Sequence, residues 1–367
     1  MNPFEKSELK RRIVIMTITE DCNLNCSYCY EKAKTDKHMS LDTAKSIVEF
    51  ELLNSNDFDE LEFDLFGGEP SLLFDVVKNL VEWTDNRFNK PHLFFLETNG
   101  TLIHREYQDW LKKYNDYVWA GISLDGTRET HNKNRCNSYD LIDIDFFLKT
   151  YPHQPIRMTI YKDTINNLSK DIIHLHNLGF KEVTSTFAHG VDWELDNIEN
   201  ILSQELMILC DFYIANPHIK ESTIFNMNLQ SVSQGQKLTK WCGTGTNMIA
   251  YDGNGKKYPC HVFQPNTTNN DSFEEIDFNC IDDFSDPECS GCSIESICPN
   301  CYGMNYLQSG NLLKRDKGLC KIVKMTTLAS SYLLAKKIEL GLIDLEKDTL
   351  YQTLKSIKII QEKIIAE

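Results

Sequence analysis

Apolar and amphipathic segments alternate through the first half of the chain. Residues 71–88 and 168–179 repeat apolar side chains at helical spacing, and Gly179 ends the second segment. Between such helices lie short runs rich in β-branched and aromatic residues, which predict buried strands. These runs occupy 13–19, 61–66, 92–97, 118–123, 156–161 and 182–187. Six strand–helix units predict an α/β fold with a parallel sheet, and six rather than eight favours a partial, TIM-like (β/α)6 barrel.

The pattern changes at about residue 225. A Cys-, Gly- and Asn-rich segment follows, with too little apolar periodicity to build a core of its own, so metal sites are expected to stabilise it. The tail shows one or two amphipathic helical patterns that we expect to pack on the barrel. The predicted organisation is a barrel over 1–225, a small Cys-rich domain over 226–325 and a helical tail over 326–367.

Composition narrows the classes of function. The formal net charge is −16 and there is no Lys/Arg-rich block, which argues against a nucleic-acid partner. No apolar run reaches the ~18 residues that span a membrane, and the N-terminus lacks the features of a signal peptide. A cytoplasmic location is expected. Thirteen cysteines in such a chain point to metal or redox chemistry rather than disulfides.

Three of these cysteines, Cys22, Cys26 and Cys29, come directly after the first predicted strand. The motifs GGEP (67–70), TNG (98–100) and SLDG (123–126) follow the next three strands. In barrels of this kind the loops after the strand ends carry the chemistry. Three thiols are one too few for a closed four-ligand site, so a [4Fe–4S] cube held by them keeps one iron open. The alternatives are a three-Cys zinc site and unrelated thiols.

The spacing CxxxCxxC, with Tyr28 before its last cysteine, resembles the signature of the radical S-adenosylmethionine (SAM) superfamily. GGEP, TNG and SLDG at the ends of later strands support the resemblance. It implies that Cys22, Cys26 and Cys29 hold a [4Fe–4S] cluster whose open iron is chelated by the amino and carboxylate groups of SAM. One electron then cleaves SAM to a 5′-deoxyadenosyl radical, which abstracts hydrogen from a substrate.

The resemblance also implies a set of SAM contacts. GGEP would approach the amino group of SAM, where Glu69 accepts a hydrogen bond or else only caps a helix. Ser123 and Asp125 would bind the ribose or carboxylate and Arg135 the carboxylate, whereas Asn99 fits a turn equally well. The candidate cofactor residues are Tyr28, Gly67, Gly68, Glu69, Pro70, Asn99, Ser123, Asp125 and Arg135.

The second half of the chain has Cys242 and a Gly255-x4-Cys260 pair, and then Cys289, Cys292, Cys298, Cys301 and Cys320. This second cysteine array resembles the SPASM domain, an extension of radical SAM enzymes that modify peptides and proteins. The resemblance implies two auxiliary [4Fe–4S] clusters, and Cys280 is a candidate fourth ligand of the inner one, which otherwise keeps an open iron. In the family, three residues usually separate the last two cysteines of the run of four. Here only two residues separate Cys298 from Cys301. A zinc ribbon is the alternative. The outer ligands would be Cys289, Cys292, Cys298 and Cys320, and the inner ones Cys242, Cys260 and Cys301.

The implied activity is maturation of a ribosomally made peptide through a thioether or carbon–carbon crosslink. Sulfatase-maturing enzymes, which form formylglycine, carry an Asp immediately after the cysteine that corresponds to Cys260. This chain has His261 at that position. Formylglycine formation is therefore the alternative within the same class. His261 would take a proton during oxidation of the substrate radical or support the cluster environment. A non-catalytic zinc-binding module is the alternative from a different class.

The expected partners are a precursor peptide or protein substrate and an electron donor of the flavodoxin or ferredoxin type. About a dozen residues precede the first strand, so no N-terminal winged-helix recognition domain is expected. Leader recognition would then use the SPASM surface, the C-terminal helices or a separate protein.

Overall fold

The computed structural model describes residues 9–234, 242–268, 276–279 and 286–366. The strands in these ranges are β1 (Arg11–Thr19), β2 (Glu60–Gly67), β3 (His92–Thr98), β4 (Val118–Ile122), β5 (Ile156–Ile160), β6 (Val183–Phe187), β7 (Met248–Tyr251) and β8 (Lys257–Tyr258). The first helices are α1 (Leu41–Asn54), α2 (Phe74–Thr84), α3 (Glu106–Lys113), α4 (Arg128–Asn134), α5 (Ile144–Thr150) and α6 (Leu168–Leu178). The remaining helices are α7 (Ile198–Ala215), α8 (Gln230–Gln234), α9 (Pro265–Thr268), α10 (Tyr302–Ser309), α11 (Cys320–Glu339) and α12 (Lys347–Ala366).

The described residues fall into two compact units. The first comprises the chain up to Leu124 together with His131–Arg157 and Gly243–Asn279. The second comprises Asp125–Thr130, Met158–Cys242 and the chain from Cys280 onward.

The first unit is built on a six-stranded sheet with the order β4-β3-β2-β1-β7-β8. Neighbouring strands from β4 through β7 are parallel, and only β8 is antiparallel to its neighbour. Parallel strands of this kind end at the same edge of the sheet. The loops that follow β1, β2, β3 and β4 are therefore brought together, which is what positions the candidate site.

Side-chain alternation along β2 shows which face of this sheet is the core. Leu61, Phe63 and Leu65 are almost completely buried on one face. The opposite face carries Glu62 and Asp64, and burial, with the nearby Glu62 charge, raises the pKa of Asp64 well above its usual range. Strand β2 thus has one apolar face and one face with ionisable groups.

All six predicted strands are present, and the α/β class with a mostly parallel sheet is confirmed. The barrel, however, is not closed, because β5 and β6 form a separate two-stranded sheet. One isolated parallel bridge joins Ser123, after β4, to Arg157 in β5. Pro155 immediately precedes β5 and has no N–H with which to extend the pairing. The sequence also did not predict β7, whose four residues are too few to show a pattern.

The second unit is mainly helical. Helix α11 packs on α7, and α12 packs on α8 and α11. Ile294 and Ile297 from the Cys-rich segment are buried together with Ile360 and Ile364 of α12. The Cys-rich segment therefore shares a core with the C-terminal helix. Within the described ranges no helix is both long enough and apolar enough to cross a membrane.

Helix α6 of this unit carries a buried carboxyl group. Asp171 Oδ1 accepts hydrogen bonds from the backbone N–H of Thr127, at 2.9 Å, and from its hydroxyl, at 2.8 Å. Gly126 has a φ of +100°, and a Cβ there would lie 2.2 Å from Cβ of Asp171. Burial raises the pKa of Asp171 to about 6, above its ordinary value of 3.8. The glycine of SLDG is thus required by this close packing.

The raised pKa of Asp171 predicts a pH dependence of stability. Between the ordinary pKa of 3.8 and the raised pKa of about 6, Asp171 is protonated in the folded chain but ionised in the unfolded chain. Its contribution to the free energy of unfolding is therefore present at low pH and lost as the pH rises through about 6. In Asp171→Asn, which keeps the accepting oxygen, we expect the loss of unfolding free energy between about pH 5 and 7.5 to shrink by about 1 kcal/mol. Thermal melts across that range measure the change. Asp75→Asn, at an exposed position in α2, should leave the pH dependence as it is, and the same curve for both variants would contradict the assignment.

Candidate functional site

The loop after β1 carries the first three cysteines, and each of them is half-buried. The backbone N–H of Cys29 donates to the carbonyl of Cys26 at 3.1 Å, and the N–H of Leu24 donates to Sγ of Cys22 at 3.4 Å. Burial raises the pKa of Cys22 and of Cys29, while the positive charge of Lys34 acts in the opposite direction. Lys34 was not singled out from the sequence, although a cation five residues after the last cysteine is a usable signal.

The turn after β2 is hydrogen-bonded to this loop through its backbone. The N–H of Gly68 donates to the carbonyl of Thr19 at 2.9 Å, and the N–H of Glu69 donates to the carbonyl of Asp21 at 2.8 Å. A Cβ on Gly67 would lie 2.0 Å from the Thr19 oxygen, and one on Gly68 would lie 2.3 Å from the Asp21 oxygen. Both glycines are therefore required for the chain to approach itself so closely.

Glu69 is buried, and the protein's own donors occupy both of its carboxylate oxygens. Its Oε1 accepts from the hydroxyl of Thr98 at 2.7 Å and from the N–H of Ser71 at 3.0 Å. Its Oε2 accepts from the N–H of Asn99 at 2.7 Å. The carboxylate thus caps the 3-10 turn that begins at Pro70 and joins it to the end of β3. These contacts support the capping interpretation of Glu69, and its contact to a cofactor stays a prediction.

Asn99 and Arg135 both reach the cysteine loop. The side-chain amide of Asn99 donates to Oδ1 of Asn23 at 2.9 Å, so the TNG motif contacts the segment between Cys22 and Cys26. The guanidinium of Arg135 lies over the ring of Tyr28, 5.4 Å from its centroid, which is within the range of a cation–π contact. The structure therefore brings Tyr28, Asn99 and Arg135 together around the loop.

Ser123 and Asp125 each form a hydrogen bond with the backbone of a neighbouring segment. The N–H of Ser123 donates to the carbonyl of Thr98 at 3.1 Å, which places Ser123 beside the end of β3. Asp125, in the second unit, is completely buried, and its Oδ1 accepts from the N–H of Thr159 at 3.1 Å. Their predicted contacts to SAM stay predictions.

His261 lies immediately after Cys260 in a short 3-10 turn of the first unit. Its ring stands 4.5 Å from the ring of Phe66 and 6.0 Å from that of Tyr30, measured between centroids. Burial lowers its pKa to about 4, and its Nδ1 has no hydrogen-bond partner within the described ranges. His261 is therefore a neutral ring packed between Phe66, near the end of β2, and Tyr30, the residue after Cys29. Phe66 and Tyr30 were not singled out from the sequence.

Five cysteines of the second unit line one cavity of about 60 Å³. Cys289 ends a 3-10 turn capped by Asp286, and Cys320 is the first residue of α11. The structure thus brings the four predicted outer ligands together on one cavity, with one predicted inner ligand beside them. The five are Cys289, Cys292, Cys298, Cys301 and Cys320.

The predicted inner ligands are distributed between the two units. In the second unit burial raises the pKa of Cys301, and the charge of Cys242 acts on it in the same direction. Cys260 is buried in the first unit. Cys280 lies outside the described residues. Among the residues that the structure describes, no three Cys, His, Asp or Glu side chains stand at the spacing of ligands to one metal ion.

The residues of the first loop fit a cluster with an open position. The loop supplies three thiols and no fourth cysteine. The positive charge of Lys34 favours the ionised form of these thiols. The cavity of the second unit fits a cluster through its five thiols and through Lys317, whose Nζ donates to Sγ of Cys289 at 3.1 Å.

Comparison with known proteins agrees with an iron–sulfur site in the loop after β1. A sequence model of the radical SAM superfamily matches residues 16–202, just over half of the chain. The radical SAM cyclopropyl synthase TigE of Paramaledivibacter caminithermalis is 21% identical over 364 residues, covering 89% of this chain and 75% of that protein. The chain spans about half or less of the length of several other curated relatives that it matches.

Two solved structures share the fold. The structure of anSMEcpe with bound AdoMet and the Cp18Cys peptide superposes with a TM-score of 0.67 at 19% identity, covering 90% of this chain and 99% of that one. Streptococcus suis SuiB bound to its precursor peptide SuiA superposes with a TM-score of 0.56 at 14% identity, covering 84% and 76%. At these identities the likeness establishes the fold.

The glycine pair after β2 gives a direct test of how the cysteine loop is held. In Gly67→Ala, with a φ of +137° and a clash at 2.0 Å, we expect the loop to shift and bound iron to fall by about four atoms per chain. Gly190→Ala is the matched control, because its φ is +69° but nothing lies within 4 Å of the added Cβ. Iron and sulfide analysis after anaerobic reconstitution measures the difference. Equal iron content in the two variants would show that the close approach is not needed.

Proposed function

The chain belongs to the radical SAM superfamily, and from that premise we propose that it is an enzyme that matures a ribosomally made peptide. When bound, the [4Fe–4S] cluster and SAM supply a carbon-centred radical that takes a hydrogen atom from a substrate side chain or Cα. Cys22, Cys26 and Cys29 would hold that cluster. The observation that carries the proposal is the backbone pairing of GGEP with the three-cysteine loop at the carboxyl edge of a parallel sheet.

The residues around the loop have distinct roles in this proposal. Tyr28 and Arg135 form one cation–π pair, which orients the guanidinium for a carboxylate ligand. Glu69 fixes the turns after β2 and β3, so that backbone groups rather than its own carboxylate face the cofactor. Asn99 is positioned by Asn23 of the loop itself. The chain therefore binds and orients SAM through elements that are tied directly to the cluster ligands.

The substrate class rests on the second cysteine array and on His261. We assign the cavity of the second unit to an auxiliary iron–sulfur cluster, as in the peptide-modifying extension that its cysteine order resembles. The position after Cys260 holds the packed ring of His261 rather than an acidic base, which favours crosslink formation over formylglycine formation. The product would be a thioether or a carbon–carbon crosslink within the peptide.

The partners follow from this chemistry. A precursor peptide or protein is the substrate, and a flavodoxin or ferredoxin supplies the electron. We place the reaction in the cytoplasm, because reduced thiols and a one-electron donor are both maintained there. Leader recognition falls to the second cysteine region, to α11 and α12, or to a separate protein.

Cys26→Ser is the sharpest test of the proposed activity. Anaerobic protein with dithionite and SAM should release 5′-deoxyadenosine and hold about twelve iron atoms, whereas the variant should release none and hold about eight. Cys210→Ser is the matched control. That buried thiol in α7 donates to the carbonyl of Ala329 at 3.6 Å and is not a predicted cluster ligand, so the variant should retain both properties. Chromatography of the nucleoside and iron analysis measure the outcome. Intact SAM cleavage in Cys26→Ser, or about two zinc ions and no iron in the native chain, would overturn the proposal.

The product separates the two maturation reactions. Incubation with a precursor peptide should give a product about 2 Da lighter, because a crosslink removes two hydrogen atoms and leaves no aldehyde. Tandem mass spectrometry and a hydrazide probe for aldehydes provide the measurement. An aldehyde-reactive product would establish formylglycine formation instead.

A further inference from the structure

Arg315 is a buried cation in the cavity lined by the five cysteines. Its residue is 9% exposed, and its Nε and Nη1 have no hydrogen-bond partner among the residues that the structure describes. Burying a guanidinium with unpaired N–H groups is costly unless an anion accepts from it. Burial raises the pKa of Cys298 to about 11, and the charge of Arg315 and a side-chain hydrogen bond from it act in the opposite direction. The unpaired donors therefore face a place where negative charge is expected.

Lys317 brings a second cation to the same thiols. Its Nζ lies 3.1 Å from Sγ of Cys289 and 3.0 Å from Oδ2 of Asp286. The side chain of Asp286 is only 3% exposed, and the same oxygen accepts the backbone N–H of Arg315 at 3.0 Å. One buried carboxylate thus fixes the segment that carries both cations against the turn that ends at Cys289.

Carboxylates and one further cation also stand around the cavity, and Lys317 Nζ lies 3.8 Å from Oε2 of Glu288. Asp286 is paired with Lys317, and Asp316 accepts from the amide of Gln308 at 3.0 Å and from the N–H of Gly318 at 2.9 Å. Glu295 also lines the cavity, and Lys324 lines it from α11. Cys320 is the first residue of that 20-residue helix, whose N-terminus carries partial positive charge.

We propose that Arg315 and Lys317 donate hydrogen bonds to the iron–sulfur cluster held by Cys289, Cys292, Cys298 and Cys320, and that they raise its reduction potential. This inference rests on the proposed function for the identity of the cluster. One-electron reduction adds a negative charge to the cluster, so nearby cations and N–H···S hydrogen bonds stabilise the reduced form more than the oxidised form. Arg315 and Lys317 are therefore positioning residues that act through the cluster.

The experiment compares three charge-removing variants of the full chain, reconstituted anaerobically. Arg315→Met and Lys317→Met each remove one proposed donor, and Lys314→Met removes an exposed positive charge from the same segment. All three are made with Cys22, Cys26 and Cys29 replaced by Ala, so that the remaining signals come from the second array. A redox titration followed by EPR, with dithionite as reductant, measures the midpoint potentials. We expect one potential to become more negative in Arg315→Met and in Lys317→Met and to stay unchanged in Lys314→Met.

Each outcome decides the inference. The same potentials in all three variants, with full iron content, would overturn it. Where Arg315→Met binds no iron in the second array, Lys317→Met alone is decisive, and an unchanged potential there overturns the inference. Failure of the proposed function looks different, because the chain with its native cysteines would then release no 5′-deoxyadenosine from SAM. A zinc-filled cavity, which gives no redox signal, would also overturn the inference while leaving SAM cleavage intact.

Discussion

Two backbone hydrogen bonds join the turn after β2 to the loop after β1, and the position of the three thiols depends on them. The N–H groups of Gly68 and Glu69 donate to carbonyls of Thr19 and Asp21, across a gap that leaves no space for a Cβ. A loop that must bind a cluster is otherwise poorly held, because it forms neither helix nor sheet between Cys22 and Cys29. The glycine pair thus supplies the rigidity that the loop itself lacks.

Glu69 shows how the same turn is stabilised from the other side. A buried carboxylate is stable only when its oxygens are satisfied, and here donors from the turn after β2 and from the end of β3 satisfy them. Three successive strand ends are consequently joined by polar contacts at one edge of the sheet. The motifs that follow β1, β2 and β3 form one connected structure, so a change in any of them is transmitted to the thiols.

The sequence predicted the six βα strands and the edge of the sheet at which the motifs meet, because both follow from local pattern and from the geometry of parallel strands. It did not predict that β5 and β6 leave the main sheet, nor that Met248–Tyr251 pairs with β1. Those pairings join residues far apart in sequence, and four residues carry no periodic signal. The sequence assigned Glu69 two alternative roles, and only its observed donors favour the capping role.

Charge distinguishes the two thiol arrays more than cysteine count does. Nζ of Lys34 donates to the backbone carbonyl of Leu24 in the first loop at 2.9 Å, and its charge acts on the thiols from a half-buried position. The second array has the buried Arg315, the Lys317 contact to Cys289 and the N-terminus of α11. Since reduction adds negative charge, clusters of the same type in these two environments would differ in potential. A cluster stabilised in its reduced form by Arg315 and Lys317 would suit the acceptance of an electron from the substrate radical, which is the oxidation that the proposed crosslinking requires after hydrogen abstraction.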